Sequence, residues 1–343
     1  MIRLVKATEL RHDDPMASLR VVAAPDKFKG TATADEIASA IAAAVEAAGG
    51  TCEQVPMADG GDGTLDALGG ANRTSEVSGP LGLLVEAPWR LDRGTAVIEM
   101  AHASGLVLAG GKEANDPLAA TTAGVGQLLD EAVDQGATKI IVGVGGSATT
   151  DGGLGALQSF GAPARLSGVE LIVACDVRTR FIDAATVFGP QKGASAAQVS
   201  MLTNRLTALA ARYADDFNVD VTVLDRSGAA GGLAGGLAAI GASLVDGFDV
   251  VAEQVGLDAA LSNADLVITG EGFIDEESFD GKVVGGVAAL ADTHGVPVLA
   301  IGGQVFDDVG DRIDAISLTD EFGIDRALSD PIGCVREAVA NRL

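Results

Sequence analysis

Four of the seven lysines in this chain fall in short stretches dense in glycine and flanked by acids: Asp26-Lys27-Phe28-Lys29-Gly30, Gly189-Pro190-Gln191-Lys192-Gly193 and Asp280-Gly281-Lys282. Most of the remaining positive charge is arginine. Compact ammonium groups beside unhindered backbone N–H groups are what a phosphate-handling site needs. A single Lys-Gly pair is more simply a surface turn. Several of them, interleaved with carboxylate-rich loops, point to phosphoryl chemistry.

The carboxylates follow the same pattern. Asp59-Gly60-Gly61-Asp62-Gly63-Thr64 sets two acids three residues apart with almost no bulk between them. That suits Mg²⁺, which takes one or two protein carboxylates and keeps waters, or polarisation of a hydroxyl. An Asp-Gly turn with Asp62 as a helix N-cap is the competing account. Gly270-Glu271-Gly272-Phe273-Ile274-Asp275 stands at a strand end, where open α/β sheets bind ligands, so Glu271 and Asp275 are candidates for metal or substrate contact and Lys282 for phosphate.

A third loop, residues 143–153, lies between an apolar strand and a helix, a position that offers phosphate free N–H groups and a favourable dipole. Gly145, Gly146, Ser147 and Thr149 supply backbone and hydroxyl donors, and Asp151 could hold Mg²⁺ or a substrate hydroxyl. The loop lacks the Gly-Lys-Ser/Thr ending of a P-loop and matches the dinucleotide fingerprint only in part. The three histidines form no constellation.

Bulk properties bound the reading. At 343 residues two domains are expected, and a composition 48% hydrophobic but 3% aromatic implies an aliphatic core of packed helices and parallel strands. A formal charge of −25 argues against nucleic acid or an anionic membrane as partner. Cys52, Cys175 and Cys334 show no disulfide or zinc spacing, so a reducing cytoplasm is the natural home. No apolar run has membrane-spanning length. Residues 1–18 read as an extension without secretory character, poorly ordered, with Met16 as an alternative start.

The elements that must position these loops begin with a strand over 19–24, a loop, and a helix opened by the capping-box spacing Thr33 to Glu36. A second strand spans 52–57. The same grammar returns late, with a strand over 265–269, a long loop over 270–280, a helix over 283–294, strands over 296–301 and 315–318, and a closing helix. Two early and three late strands predict one parallel five-strand sheet with helices on both faces. Between them a hairpin of strands 85–89 and 95–100 opens an alternating α/β segment, with helices over 122–135, 154–160 and 196–214, strands over 139–144 and 169–174, and a tightly packed helix within 228–241. The expected division is 19–64 with 265–343, and an inserted domain over 65–264.

Six motifs in order resemble the bacterial glycerate kinase family: Pro25-Asp26-Lys27-Phe28-Lys29-Gly30, Pro56 to Thr64, Gly145 to Gly153, Phe188-Gly189-Pro190-Gln191-Lys192-Gly193-Ala194, Gly228-Ala229-Ala230-Gly231-Gly232-Leu233 and Thr269-Gly270-Glu271-Gly272. The resemblance covers nearly the whole chain after Leu19. It implies ATP-dependent, Mg²⁺-assisted phosphorylation of D-glycerate on a flavodoxin-like domain made from both chain ends, with a second α/β domain inserted. The segment Asp176 to Asp183 departs from the Asn-Pro-Leu-x-Gly-Pro type usual before the Phe-Gly-Pro-Gln-Lys-Gly motif, and the link from Gly161 to Val169 is short.

On this reading Lys29, Lys192 and Lys282 neutralise phosphate or substrate carboxylate charge. Asp176 or Asp59 orients or deprotonates the glycerate hydroxyl, and Asp151 or Glu271 contacts Mg²⁺. Domain closure would exclude water. The 2- and 3-hydroxyls are both open as acceptors, and so is a homo-oligomer. The rivals are a dinucleotide-dependent oxidoreductase, weakened by the incomplete fingerprint, and a non-catalytic ligand-sensing module.

Overall fold

The computed structural model describes residues 18–306, 309 and 312–343, so the expected extension lies outside the described residues except for Ser18. The strands in chain order are β1 (Arg20–Ala23), β2 (Thr51–Gln54), β3 (Arg73–Ser78), β4 (Leu84–Asp92), β5 (Thr95–Glu99), β6 (Lys139–Gly143), β7 (Glu170–Cys175), β8 (Ser243–Asp246), β9 (Leu266–Ile274), β10 (Val298–Val305) and β11 (Asp314–Ser317). They form two sheets in two compact units. One unit joins the segment ending at Asp59 to Phe248–Leu343, and the other is Gly60–Gly247.

The end-built unit carries the five-strand sheet β11-β10-β9-β1-β2, parallel throughout. Counted within the unit, that order is the 2-1-3-4-5 of the flavodoxin-like fold. Val21, Ile268, Leu299 and Ile301 bury one face against the helices Ala34–Ala47 and Pro331–Arg342. The first helix has the capping box, with Thr33 Oγ1 accepting from the Glu36 N–H and the Glu36 carboxylate accepting from the Thr33 N–H. Ile37, Ile41 and Val45 then recur on its buried stripe. On the other face the helix Val283–His294 lays Val284 and Ala288 on Ile274 and Ala300. The two halves of this unit are clipped together by Asp265, which accepts from the Arg20 backbone N–H and from its guanidinium.

The inserted unit is built on the mixed sheet β3-β4-β5-β6-β7-β8. β3, β4 and β5 pair antiparallel, and β5 to β8 run parallel. Arg93 and Gly94, both with positive φ, make the tight turn between β4 and β5. Trp89, Leu128, Leu129 and Phe160 fill the core, and the Trp89 indole donates to Ser75.

Several elements differ from the expected ones for local reasons. β3, Arg-Thr-Ser-Glu-Val-Ser, is an edge strand with only alternate positions buried, which weakens its hydrophobic signal. β9 runs on to Ile274 where a loop was expected after Thr269, because Gly270 and Gly303 let β9 and β10 approach backbone to backbone. Residues 228–241 split into a short turn at Ala229–Gly232 and a helix over Leu233–Ala239, since Ala230 and Gly231 adopt left-handed backbone angles. The helices Gly247–Val255 and Leu257–Leu261 precede β9, and almost all of them groups with the end-built unit. Phe248 packs where Gly286 has no side chain, and His294 pairs with Asp258.

Gly126 tests the packing of helix Ala123–Asp134 on helix Leu154–Phe160, because an added Cβ there falls inside contact distance of the Ala156 backbone. Gly126→Ala is expected to destabilise the protein by about 2–4 kcal/mol in urea unfolding. A change within ~0.5 kcal/mol would show that the two helices can part without loss.

Candidate active site

Ligands of open parallel sheets gather at the C-terminal strand ends, and each unit places candidate residues there. In the end-built unit Asp26 follows β1, Asp59 follows β2, and Glu271 lies within β9. The Asp26 N–H donates to the Gly270 carbonyl at 2.8 Å, and its own carboxylate accepts from the Lys27 N–H at 2.7 Å. Gly272 lies alongside the 26–30 loop, where an added Cβ would be in ordinary contact with the Lys29 N at 3.4 Å. Lys29 itself is exposed on this turn, next to Gly30 at φ +82.

This is a cluster of crowded acids. Burial, then the charge of Asp59, pushes the Asp26 carboxyl up to about 7, against the pull of Lys27. Burial likewise raises Glu271, opposed by the Ser278 hydroxyl and Lys282 and reinforced by Asp59 and Asp275. Glu271 Oε1 is buried without a hydrogen-bond partner. Lys282 is the N-cap of helix Val283–His294 and lies 3.9 Å from Glu277. Spacing alone does not distinguish Asp26 within Pro25-Asp26-Lys27-Phe28-Lys29-Gly30; its burial does.

These residues fit a divalent cation. A buried, unpartnered carboxylate oxygen beside an acid whose pKa is raised by burial and then by like charge lacks the counter-charge such an ion supplies. Among the described residues no three of His, Cys, Asp or Glu converge as a complete metal cage.

In the inserted unit the glycine loop after β6 is tied to its neighbours. Leu106 N–H donates to the Gly146 carbonyl, Ala148 N–H to the Ser104 carbonyl, and Gly145 lies against Gly61 with no room for a side chain. Gly146 is exposed, Ser147 is nearly buried, and Thr149 and Thr150 have buried hydroxyls without partners. The helix after the loop, Leu154–Phe160, already has an anion at its N-terminus: Asp151 accepts from the N–H groups of Gly153 and Gly155. Asp151 Oδ2 also accepts from the backbone N–H and hydroxyl of Thr122, ahead of helix Ala123–Asp134. The helix dipole is thus met by the chain's own carboxylate, and Asp151 as a metal ligand would forfeit several hydrogen bonds.

Lys192 is 5% exposed and donates to the Thr149 carbonyl at 2.6 Å. Burial lowers its ammonium to about 7, with Asp151 pulling the other way. It therefore braces the glycine loop through the Thr149 carbonyl and is withdrawn from solvent. Asp176 is exposed just past β7. Two further groups were invisible to spacing. Glu99, buried at the end of β5 with its carboxyl raised by burial, accepts from the Leu65 N–H at 2.6 Å and lies 3.8 Å from His102. Arg226 spans the ends of β7 and β8, donating to the Cys175 carbonyl at 2.9 Å and to Asp246 at 2.8 Å. All three cysteines are free thiols. Among the described residues no helix is long and apolar enough to cross a membrane.

A flavodoxin-like sheet with lysines and crowded acids at its strand ends, and an inserted α/β unit carrying a fixed glycine loop, has the makings of a phosphoryl-transfer enzyme. Comparison with known proteins gives the particular one. The description of the Glycerate kinase family matches residues 21–165 and 162–341. The chain is 38% identical to glycerate 2-kinase of Escherichia coli K12 over 93% of both chains, and 40% identical to a glycerate kinase of Halalkalibacterium halodurans over 90% of both. A crystal structure of a proposed glycerate kinase 2 from Salmonella typhimurium LT2 superposes with TM-score 0.81 at 36% identity, covering 94% of this chain and 97% of that one. The chain belongs to the glycerate kinase family and is a kinase acting on an alcohol group. The oxidoreductase and ligand-sensor readings fall with that membership.

Lys192 gives a pH test. Its folded-state pKa near 7 lies below the ordinary 10.5, so between these values the unfolded chain holds a proton that the folded chain has released. Stability contributed by this site therefore rises with pH across that window. Unfolding measured at both ends should show the rise in the wild type and its loss in Lys192→Met; identical pH profiles would refute a buried, perturbed ammonium.

Proposed function

We propose that the protein transfers the γ-phosphate of ATP, with Mg²⁺, to the 2-hydroxyl of D-glycerate, giving 2-phosphoglycerate. The acid cluster of Asp26, Asp59 and Glu271, flanked by Lys27 and Lys282 and with Lys29 exposed on the turn after Asp26, carries this reading. The 2-position is supported by the E. coli relative, which is named a glycerate 2-kinase.

Phosphoryl transfer asks for positioning and charge neutralisation more than covalent chemistry. Lys29 and Lys282 face the phosphate oxygens. Glu271 and Asp26 offer carboxylate oxygens to Mg²⁺, which when bound withdraws charge from the phosphates. Gly145, Gly146, Ser147 and Thr149 form a rigid platform for substrate on the inserted unit, braced by Lys192 and Asp151. Asp59 or Asp176 accepts the proton of the attacking hydroxyl.

ADP formation should require both D-glycerate and Mg²⁺ and should stop in EDTA. Glu271→Gln is expected to raise the Mg²⁺ concentration for half-maximal rate by roughly tenfold or more. Asp26 must shed its proton to meet a cation, so that half-maximal concentration should climb as pH falls below about 7. Turnover indifferent to EDTA, or equal rates with and without glycerate, would sink the kinase reading; between Asp59→Asn and Asp176→Asn, the variant with the larger kcat loss identifies the base.

A further inference from the structure

Two segments of the inserted unit are zipped together beyond the ends of β7 and β8. The Gly228 N–H donates to the Thr179 carbonyl at 2.9 Å, the Phe181 N–H donates to Ser227 Oγ at 3.0 Å, and Arg180 lies 3.7 Å from Asp225. One partner is the 176–183 segment, which departs from the family pattern. The other carries Arg226, a non-glycine residue at φ +70. Such a backbone shape suits glycine, and a large side chain is retained there only where its placement is worth the strain.

That placement is specific. The Arg226 side chain is 14% exposed, and its guanidinium is oriented by the Cys175 carbonyl and by Asp246, itself 18% exposed. These contacts engage NH1 and NH2 and fix the plane of the fork, which has donors beyond the two they use. The arginines and aspartates of the two segments balance, with Arg180 beside Asp225, so no excess of negative charge on this loop pair opposes an anion at Arg226, in a chain whose net charge is −25. A largely buried, pre-oriented guanidinium at a parallel strand end is suited to a small carboxylate.

We propose that Arg226 is the residue that receives the carboxylate of the hydroxy-acid substrate, with the 176–183 loop holding it in place. This rests on the kinase reading above. It separates the acid-binding role from Lys192, whose ammonium is spent on the loop backbone.

Arg226→Gly is the direct test, because glycine accepts the left-handed backbone. The variant should fold with a lowered melting temperature, because Asp246 and the Cys175 carbonyl lose a partner, and raise KM for D-glycerate by about 10- to 100-fold, with KM for ATP changed less than about twofold. Added guanidinium should restore part of the lost affinity, a response that a merely structural arginine would not give. Arg226→Lys, which keeps a charge opposite Asp246, should fold and show a smaller rise in the same direction. An unchanged glycerate KM in the folded variants, or a parallel loss for ATP and glycerate without guanidinium rescue, overturns the assignment alone. A wild type that does not turn over D-glycerate would overturn the kinase reading and this assignment with it.

Discussion

The inserted unit depends on one carboxylate. Asp151 satisfies N–H groups at the starts of two helices, Ala123–Asp134 and Leu154–Phe160, through Thr122, Gly153 and Gly155. The opening turn of a helix leaves N–H groups without internal partners, and a buried end without an acceptor is costly. Around Asp151 the backbone is drawn in from every side. Lys192 takes the Thr149 carbonyl, the Tyr213 hydroxyl donates to the Gly152 carbonyl, and the Gly152 N–H donates to the Gly231 carbonyl. Gly231 can have no side chain, because a Cβ there would overlap the Thr149 backbone. The Thr-Thr-Asp-Gly-Gly stretch is thus a fixed hub, and its glycines serve close approach more than flexibility.

A division of labour between the two cations runs through the molecule. Arginines make most of the structural pairs: Arg20 with Asp265, Arg212 with Asp216, Arg326 with Glu337 and Arg342 with Asp314. Such exposed pairs contribute little each. Lys29 and Lys282 instead sit at glycine turns beside the acid cluster, where a compact charge can meet phosphate. Arg226 belongs to both sets, being held by Asp246 while presenting its fork at a strand end.

The five-strand parallel sheet was legible because its strands are short aliphatic runs entered and left through glycine, proline or a capping box, as at Thr33 and Glu36. Elements whose signal is not hydrophobic were not. β3 alternates polar residues on an edge, β8 is four residues long, and the extension of β9 depends on glycines of the neighbouring strand. The same limit applied to the site. Lys29, Glu271 and Lys282 were readable as motif residues; Glu271 feels the charges of Asp59 and Lys282, and Asp26 those of Asp59, Lys27 and Glu271, while Lys29 is exposed on the turn after Asp26. What spacing could not convey is burial. It makes Asp26 unusual, turns Lys192 inward, commits Asp151 to the backbone, and sets Arg226 between strands from distant parts of the chain.

The pairing of β1 with β9 has a consequence for how the protein is made. Val21 lies beside Leu266 and Val22 beside Val267, so the centre of the end-built sheet cannot form until the ribosome has delivered residues far downstream. The inserted unit, by contrast, is one continuous stretch from Gly60 to Gly247. Domains generally fold as units during synthesis, and long-range strand pairing is slow. The inserted unit therefore folds first on the emerging chain, while β1, the helix Ala34–Ala47 and β2 wait with their apolar faces uncovered. That waiting period, set by the rate of translation, is when the apolar faces of these early elements are most open to aggregation.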